Sequence, residues 1–130
     1  MVDRVRQLLR FARVADADAR HAERTAAILR SLGADDELVE AGRLHDLAKP
    51  SDARLWHRVA ATLLPRRARE RLSRGSGTFA RYLDHPRRGA DLARARGASD
   101  RVVRLIARHH ETPRAEDERM LHLADREALP

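Results

Sequence analysis

Residues 38–49 read LVEAGRLHDLAK, and this stretch decides both the fold class and the chemistry expected of the chain. Apolar residues recur in it at the spacing of one helix face, at Leu38, Ala41, Leu44 and Ala48. His45 follows Leu38 by seven residues and so falls on the same buried side. Asp46 comes near the carboxyl end of the predicted helix, where the helix dipole disfavours a negative charge. A bound cation would compensate for that charge.

The same helical periodicity continues along the rest of the chain, and no segment alternates as a strand would. We expect helices over about residues 2–14, 18–32, 36–48, 52–64, 79–84, 87–96, 100–111 and 116–128. An arginine-rich segment at 65–72 and a loop near the pocket at 74–78 separate two of them. The sequence therefore predicts an all-α fold, an irregular helical bundle in one domain over residues 1–130.

Capping residues support these boundaries. Asp35 or Asp36, Ser51 and Ser99 are candidate N-caps, and Gly33 and Gly97 are candidate terminators. Pro50 and Pro86 predict a helix end and a helix break. The first helix would place Val5, Leu8, Leu9 and Ala12 on one face, and the second would align His21 inward with Thr25, Ile28 and Leu32.

The composition excludes several classes of protein. The 130 residues include no cysteine, which excludes disulfides, thiolate catalysis and zinc–thiolate sites. No apolar run approaches the length of a membrane span, and the first residues are charged rather than signal-like. We therefore expect a cytoplasmic protein with no membrane partner. The composition does not determine the oligomeric state.

Arginine supplies 26 of the 27 basic residues, and Lys49 is the single lysine. Because acids are interleaved with the arginines along the whole chain, most arginines belong to solvated helix faces. The formal net charge of +7 would still steer a small phosphorylated substrate towards the protein. Nucleic acid is not an expected partner, since aromatic side chains for base stacking are few.

Five further polar residues lie on or beside apolar helix faces: His21, His85, His109, His110 and Asp125. Each has an ordinary structural explanation by itself, as a satisfied core histidine or as an aspartate paired with arginine. Together they require several separate helices to point an unpaired imidazole or carboxylate inward. Because imidazole and carboxylate both bind divalent cations, a shared metal cluster explains all of them at once.

These residues, in this order, resemble the HD-domain superfamily of metal-dependent phosphohydrolases. The resemblance covers about residues 19–125 and is carried by five stretches: RHAERTA (20–26), GRLHDLAK (42–49), DHPRRGA (84–90), IARHHE (106–111) and LAD (123–125). It implies an all-helical HD-domain-like bundle, in agreement with the periodicity. Among the branches of the family, the chain resembles the HDIG and HD-GYP-like branch and small proteins built around an HD domain alone.

The resemblance implies a centre of one or two divalent metal ions. One ion would be held by His21, His45, Asp46 and Asp125, and Asp46 would bridge to a second ion held by His85, His109 and His110. Mixed nitrogen and oxygen ligands suit Fe, Mn, Co, Ni or Zn without selecting among them.

The implied reaction is hydrolysis of a phosphate ester or anhydride, with a nucleotide as the favoured substrate. Asp46 would set the spacing of the ions, Lys49 would bind and neutralise phosphate, and His110 could instead act as an acid or base. Further phosphate-binding candidates are close to the ligands in sequence: Arg43, Arg87 and Arg88. His57 and His122 match no motif and receive no role.

The chain departs from known patterns of the family at two places, and the sequence allows two alternative functions. Lys49 stands where some single-metal nucleotidases of the family carry Glu, and residues 112–114 lack the Gly-Tyr-Pro signature of cyclic dinucleotide hydrolases. One alternative is a di-iron oxygenase of the same fold, which would cleave carbon bonds with similar ligands. The other is a non-catalytic module that binds a nucleotide or a partner protein.

Overall fold

The computed structural model describes the backbone of residues 2–50, 53 and 55–129, and the side chains of residues 5–6, 19–50, 53, 56–57 and 59–129. This part of the chain is all-helical, as the sequence predicts. It contains α1 (Val2–Ser31), α2 (Asp36–Leu44), α3 (Leu55–Leu63), α4 (Arg66–Leu72), α5 (Thr78–Ala95), α6 (Asp100–Arg108) and α7 (Glu116–Glu127). None of the helices described here combines the length and apolar character that crossing a membrane requires.

The first two predicted helices form one helix, α1, so the boundary expected between Val14 and Asp18 is wrong. Residues 15–17 read Ala-Asp-Ala and contain neither glycine nor proline. Because alanine is the strongest helix former, nothing in this stretch ends the helix. Val5 is exposed. The other members of the expected apolar face lie outside the described side chains: Leu8, Leu9 and Ala12.

Most of the predicted helix termini are present. Gly33 and Gly97 have φ angles of +79° and +88° and end α1 and α5 in the left-handed conformation that glycine adopts without steric cost. The side chains of Asp35 and Ser99 accept hydrogen bonds from backbone N–H groups in the first turns of α2 and α6. The predicted cap Ser51 lies outside the described residues.

α2 and α6 end earlier than predicted, and each places histidine in the turn that follows. α2 stops at Leu44 rather than near Ala48. The chain then forms tighter turns, with the N–H of Leu47 bonded to the carbonyl of Leu44 and the N–H of Lys49 to that of Asp46. Proline disfavours helical backbone in the residue before it, so Pro50 promotes this change. α6 likewise stops at Arg108 rather than near Glu111, shortly before Pro113.

α5 runs unbroken through Pro86, so the predicted break at this residue is wrong. Proline has no N–H to donate to the carbonyl four residues earlier, which is that of Tyr82. Here that carbonyl accepts instead from Nδ1–H of His85, at 2.5 Å. The helix continues because a side chain of the same turn satisfies the carbonyl that proline leaves free. The arginine-rich segment that follows Pro65 is itself a short helix, α4.

The core lies where α1 and α6 pack on α2, and where α5 packs on α6 and α7 on α1. Its largest fully buried apolar side chains are Leu29, Val102, Leu105, Ile106 and Leu121. Of the face predicted for His21, Thr25 is buried and Ile28 is half-buried, but Leu32 is exposed because it lies beyond the end of α1. Gly42 lets α1 and α2 approach closely, since a Cβ there would lie 2.3 Å from Cδ1 of Leu29.

Candidate metal centre

Four histidines are held in the same way, by a bond from Nδ1 to a backbone carbonyl. In three of them the carbonyl belongs to the residue three positions earlier: Gly42 for His45 (2.6 Å), Tyr82 for His85 (2.5 Å) and Ile106 for His109 (2.6 Å). Nδ1 of His21 lies 3.3 Å from the carbonyl of Ala128, which joins α1 to the end of α7. A carbonyl can only accept, so each Nδ1 carries hydrogen and each neutral ring presents an Nε2 lone pair.

The first cluster of Nε2 and carboxylate atoms joins α1, the turn after α2, and α7. Nε2 of His21 and of His45 lie 2.8 and 3.0 Å from Oδ1 of Asp125. The same two nitrogens lie 3.9 and 3.4 Å from Oδ2 of Asp46. One ligand atom from each of these four residues falls within 4.8 Å of the others, so the group could hold a single ion.

The second cluster uses the other oxygen of Asp46. Its Oδ1 lies 3.1 Å from Nε2 of His85 and 3.4 Å from Nε2 of His109. His110 completes this group, again with all ligand atoms within 4.8 Å of one another. Asp46 is therefore common to both clusters, with one oxygen directed at each.

The donor chemistry of both clusters fits a divalent cation. With Nδ1 protonated, the Nε2 atoms and the carboxylate oxygens are all acceptors, yet they approach one another to about hydrogen-bond distance. Two Nε2 atoms, those of His85 and His109, also lie only 3.2 Å apart. His45 and His85 are almost fully buried, so water cannot screen this repulsion well. A positive charge at the centre of each cluster removes it, and neutral histidines with ionised aspartates are the ligands that transition metals bind.

The pKa values of residues in the two clusters also show that their carboxylates favour a nearby positive charge. Burial opposes protonation of His45, but the carboxylates of Asp46 and Asp125 outweigh it and raise the pKa of His45 to about 9. Burial also opposes ionisation of Asp46, yet His45 and His109 hold the pKa of Asp46 well below its usual value. Burial lowers the pKa of His109, which favours its neutral, metal-binding form.

His110 differs from the other four histidines. It is exposed, and within the described part of the chain no hydrogen bond fixes either of its ring nitrogens. Its ring packs edge-on against those of His85 and His109, with centroids 4.5 and 4.4 Å away. His110 therefore contacts the second cluster while its side chain stays exposed at the surface.

A cavity of about 390 Å³ lies beside His110, between α4, α5 and the loop that joins α6 to α7. His110 forms part of its wall, together with Tyr82 and Pro86 of α5. The loop at 74–78, expected near a pocket, does not line this one, although Ser73 immediately before it does. The cavity thus borders the second cluster at His110.

The residues predicted to bind phosphate are not all placed at this cavity. Arg87 lines it, whereas Arg88 does not and instead binds Asp84 through Nε at 2.9 Å. Arg43 lies on α2 and pairs with Glu23 of α1, with Nε and Oε1 2.9 Å apart. Lys49 is half-buried, in the turn whose backbone carries Asp46.

Sequence reasoning missed three arginines in the cavity wall: Arg66, Arg69 and Arg114. The dense run of arginines at 66–71 was the available signal for two of them, but charge density alone does not say which face of a helix meets a cavity. His57, given no role, is buried and stacks on Trp56 at a centroid distance of 3.7 Å. His122, also given no role, is exposed.

Comparison with known proteins identifies the family. The family model of the HD domain matches residues 18–128, which is most of the chain and includes every residue of the two clusters. No curated protein and no solved structure matches the chain. Members of this superfamily are generally metal-dependent phosphohydrolases, and the His/Asp clusters here could hold such a metal. The resemblance predicted from the sequence is confirmed at the level of the superfamily, and the chain belongs to the HD domain family.

Proposed function

We propose that this protein is a metal-dependent phosphohydrolase of the HDIG and HD-GYP-like branch, acting on a phosphate ester or anhydride, with a nucleotide as the favoured substrate. One observation carries the proposal: the two oxygens of Asp46 are directed at two adjacent His/Asp clusters. His21, His45 and Asp125 would hold one ion with Asp46. His85, His109 and His110 would hold a second, and the ions would be Fe, Mn, Co, Ni or Zn.

Bound divalent cations lower the pKa of water and neutralise phosphoryl oxygens. In the hydrolysis, a water oxygen forms a new bond to phosphorus while the bond from phosphorus to the leaving oxygen breaks. The water loses a proton, and the leaving oxygen keeps the bonding electron pair and takes up a proton. In place of a ligand role, His110 is suited to supply or accept one of these protons, because it is exposed to the cavity and its tautomer is not fixed by a backbone carbonyl.

Positive side chains support a phosphate rather than a neutral substrate. Lys49 follows Asp46 by one turn, and its compact ammonium group would neutralise phosphate charge as it builds up. Arg87 lines the cavity that His110 also lines, and Asp84 and Asp91 already bind its guanidinium, so it too would have to leave carboxylate partners. Arg43 and Arg88 remain candidates only if the substrate draws them from their carboxylate partners.

The test is Asp46→Ala, measured in metal-supplemented protein against a panel of phosphate monoesters, diesters and nucleotides. We expect hydrolysis to fall to background, because one residue serves both clusters, while the circular dichroism spectrum keeps its helical signal. Asp36→Ala, an exposed carboxylate on α2, is the matched control and should keep full activity. An Asp46→Ala protein that turns over substrate normally would refute the proposal. Iron-dependent oxygen uptake in place of hydrolysis would favour the oxygenase.

A further inference from the structure

The cavity beside His110 has cationic side chains on three of its walls. Arg66 and Arg69 come from α4, Arg87 from α5, and Arg114 from the loop between α6 and α7. Between them the wall is partly apolar, with alanine, leucine and proline side chains. Its volume of about 390 Å³ lies in the range of small-molecule sites. It therefore has room for part of a substrate whose reacting phosphate lies at the metal centre.

The carboxylates in the wall are already neutralised. Asp84 is buried and bound by Arg87, whose Nε lies 2.9 Å from Oδ1, and by Arg88. Glu70 pairs with Nε of Arg66 at 2.9 Å. Glu111 pairs with Arg108 at 2.7 Å. Each acidic group of the cavity thus has its own arginine.

Two arginines of the cavity wall are not used to neutralise these carboxylates. In the part of the chain that the structure describes, neither Arg69 nor Arg114 makes a side-chain ion pair. Nε of Arg69 is moreover buried without a hydrogen-bond partner. Leaving a buried guanidinium nitrogen unsatisfied is costly, so this side chain gains from a shift that brings its guanidinium onto an anion in the cavity. The excess positive charge and the unsatisfied donor belong to the same side chain.

We infer that this cavity binds a second phosphate of the substrate on Arg69 and Arg114, so that the substrate class is a compound carrying at least two phosphate groups. The inference rests on the proposed function for the first phosphate, which would react at the metal centre. His110 belongs to the second cluster and to the cavity wall, so one molecule can occupy both. Arginine suits this task because its planar fork binds phosphate through two parallel hydrogen bonds.

The experiment counts bound phosphate. Inorganic phosphate is titrated into metal-loaded protein by calorimetry, and we expect two equivalents, one at the metal centre and one in the cavity. Arg69→Gln should remove the cavity equivalent or weaken it about 10- to 100-fold, the effect of losing a hydrogen bond to a charged group. Arg67→Gln makes the same change on the same helix but outside the cavity wall, and should leave both equivalents. Arg114→Gln tests the opposite wall without altering α4.

The outcomes separate the two proposals. Phosphate binding that is insensitive to both Arg69→Gln and Arg114→Gln overturns the second site and leaves the phosphohydrolase proposal standing. Asp46→Ala should lose the other equivalent. If it keeps both while Arg69→Gln loses one, the cavity site stands and the proposed metal centre fails.

The substrate class has its own test. Adenosine 3′,5′-bisphosphate should bind wild-type protein about 10- to 100-fold more tightly than adenosine 5′-monophosphate. Arg69→Gln should abolish that preference, and Arg69→Lys, which retains the charge, should restore part of it. A bisphosphate that binds no more tightly than the monophosphate overturns the assignment.

Discussion

His45 is the residue on which burial and charge act most strongly in opposite directions. It is fully buried, which disfavours the imidazolium form, yet it lies against Asp46 and Asp125, which favour it. The carboxylates prevail and raise its pKa to about 9. In metal-free protein a proton on His45 therefore supplies part of the positive charge that a cation would bring.

We expect metal-free protein to lose stability as the pH rises from about 6.5 to about 9. The pKa of His45 is raised in the folded state, so its contribution is fully present below the unfolded value of 6.5 and is lost as the pH passes through about 9. A tenfold change in proton affinity corresponds to about 1.4 kcal/mol, so the loss is at most about 3.5 kcal/mol. Thermal unfolding of chelator-treated protein on either side of this pH window measures it.

One variant and one neighbouring group show whether this pH dependence comes from His45. His45→Gln removes the titrating group, so its pH dependence in the window should be flat. Asp125 acts in the opposite direction: burial opposes its ionisation, but His21 and His45 hold its pKa below the usual value. Its contribution is present above the unfolded pKa and is lost only in acid, well outside the window. A metal-free wild type that is equally stable throughout would contradict the raised pKa.

Within the helices, Pro86 determines how His85 is oriented. An ordinary residue at this position would donate its N–H to the carbonyl of Tyr82 and complete the helical ladder. Proline cannot, so the carbonyl is available to Nδ1 of His85. The Nε2 lone pair of His85 is thereby fixed towards Asp46. A residue that usually breaks helices instead positions the Nε2 atom of His85 in the second cluster.

We predict that Pro86→Ala weakens metal binding at the second cluster. The restored N–H competes with His85 for the Tyr82 carbonyl, and loss of such a supporting bond typically lowers metal affinity about 10- to 100-fold. Alanine favours a helix interior over proline by about 3 kcal/mol, so unfolding of α5 would not account for the loss. Metal titration monitored by calorimetry measures both sites, and the first cluster should be unaffected.

The matched control for that variant is Leu92→Ala, an exposed position in the same helix. It should bind metal as the wild type does. Equal affinities for wild type and Pro86→Ala at both sites would show that the Tyr82 carbonyl does not orient His85.

The sequence predicted the ends of these helices correctly where the residue that causes the end lies within one turn of it. Ser99, Gly33 and Gly97 act within one turn and were identified, and Asp35, which also acts within one turn, was one of two candidate caps. A break was predicted at Pro86 and is absent, because the His85 side chain satisfies the carbonyl that proline leaves free, which the sequence rule for proline does not anticipate. The early ends of α2 and α6 were also missed, since apolar periodicity continues into the turns. Those turns carry His45, Asp46, His109 and His110.

Across the whole molecule, both clusters were predictable as a set of ligand types but the cavity was not. The histidines and aspartates that could bind metal stand out in short sequence motifs. The family resemblance then assigned them to two groups. The cavity forms only where α4, α5 and the loop after α6 meet, so no single segment reveals it. Arg69 is one of many arginines until the fold shows that its Nε is buried and unpartnered.

The two clusters connect most of the fold through one residue. Their side chains come from α1, α5 and α7 and from the turns that follow α2 and α6, and the packed core holds these elements together. A metal bound only by the folded chain stabilises it by mass action, by about 2.7 kcal/mol at a free concentration 100 times the dissociation constant. Metal occupancy and thermal stability should therefore change together.

This coupling yields the last prediction, which is a pattern of metal stoichiometry. Wild type should bind two equivalents. His21→Ala and His85→Ala should each retain one, because each removes a ligand from a different cluster, whereas Asp46→Ala should lose affinity at both. His122→Ala, an exposed histidine outside the clusters, should retain two. Elemental analysis gives the counts, and the thermal unfolding temperature should fall with each equivalent lost. If His85→Ala lost both ions, or Asp46→Ala neither, the clusters would not be joined through Asp46.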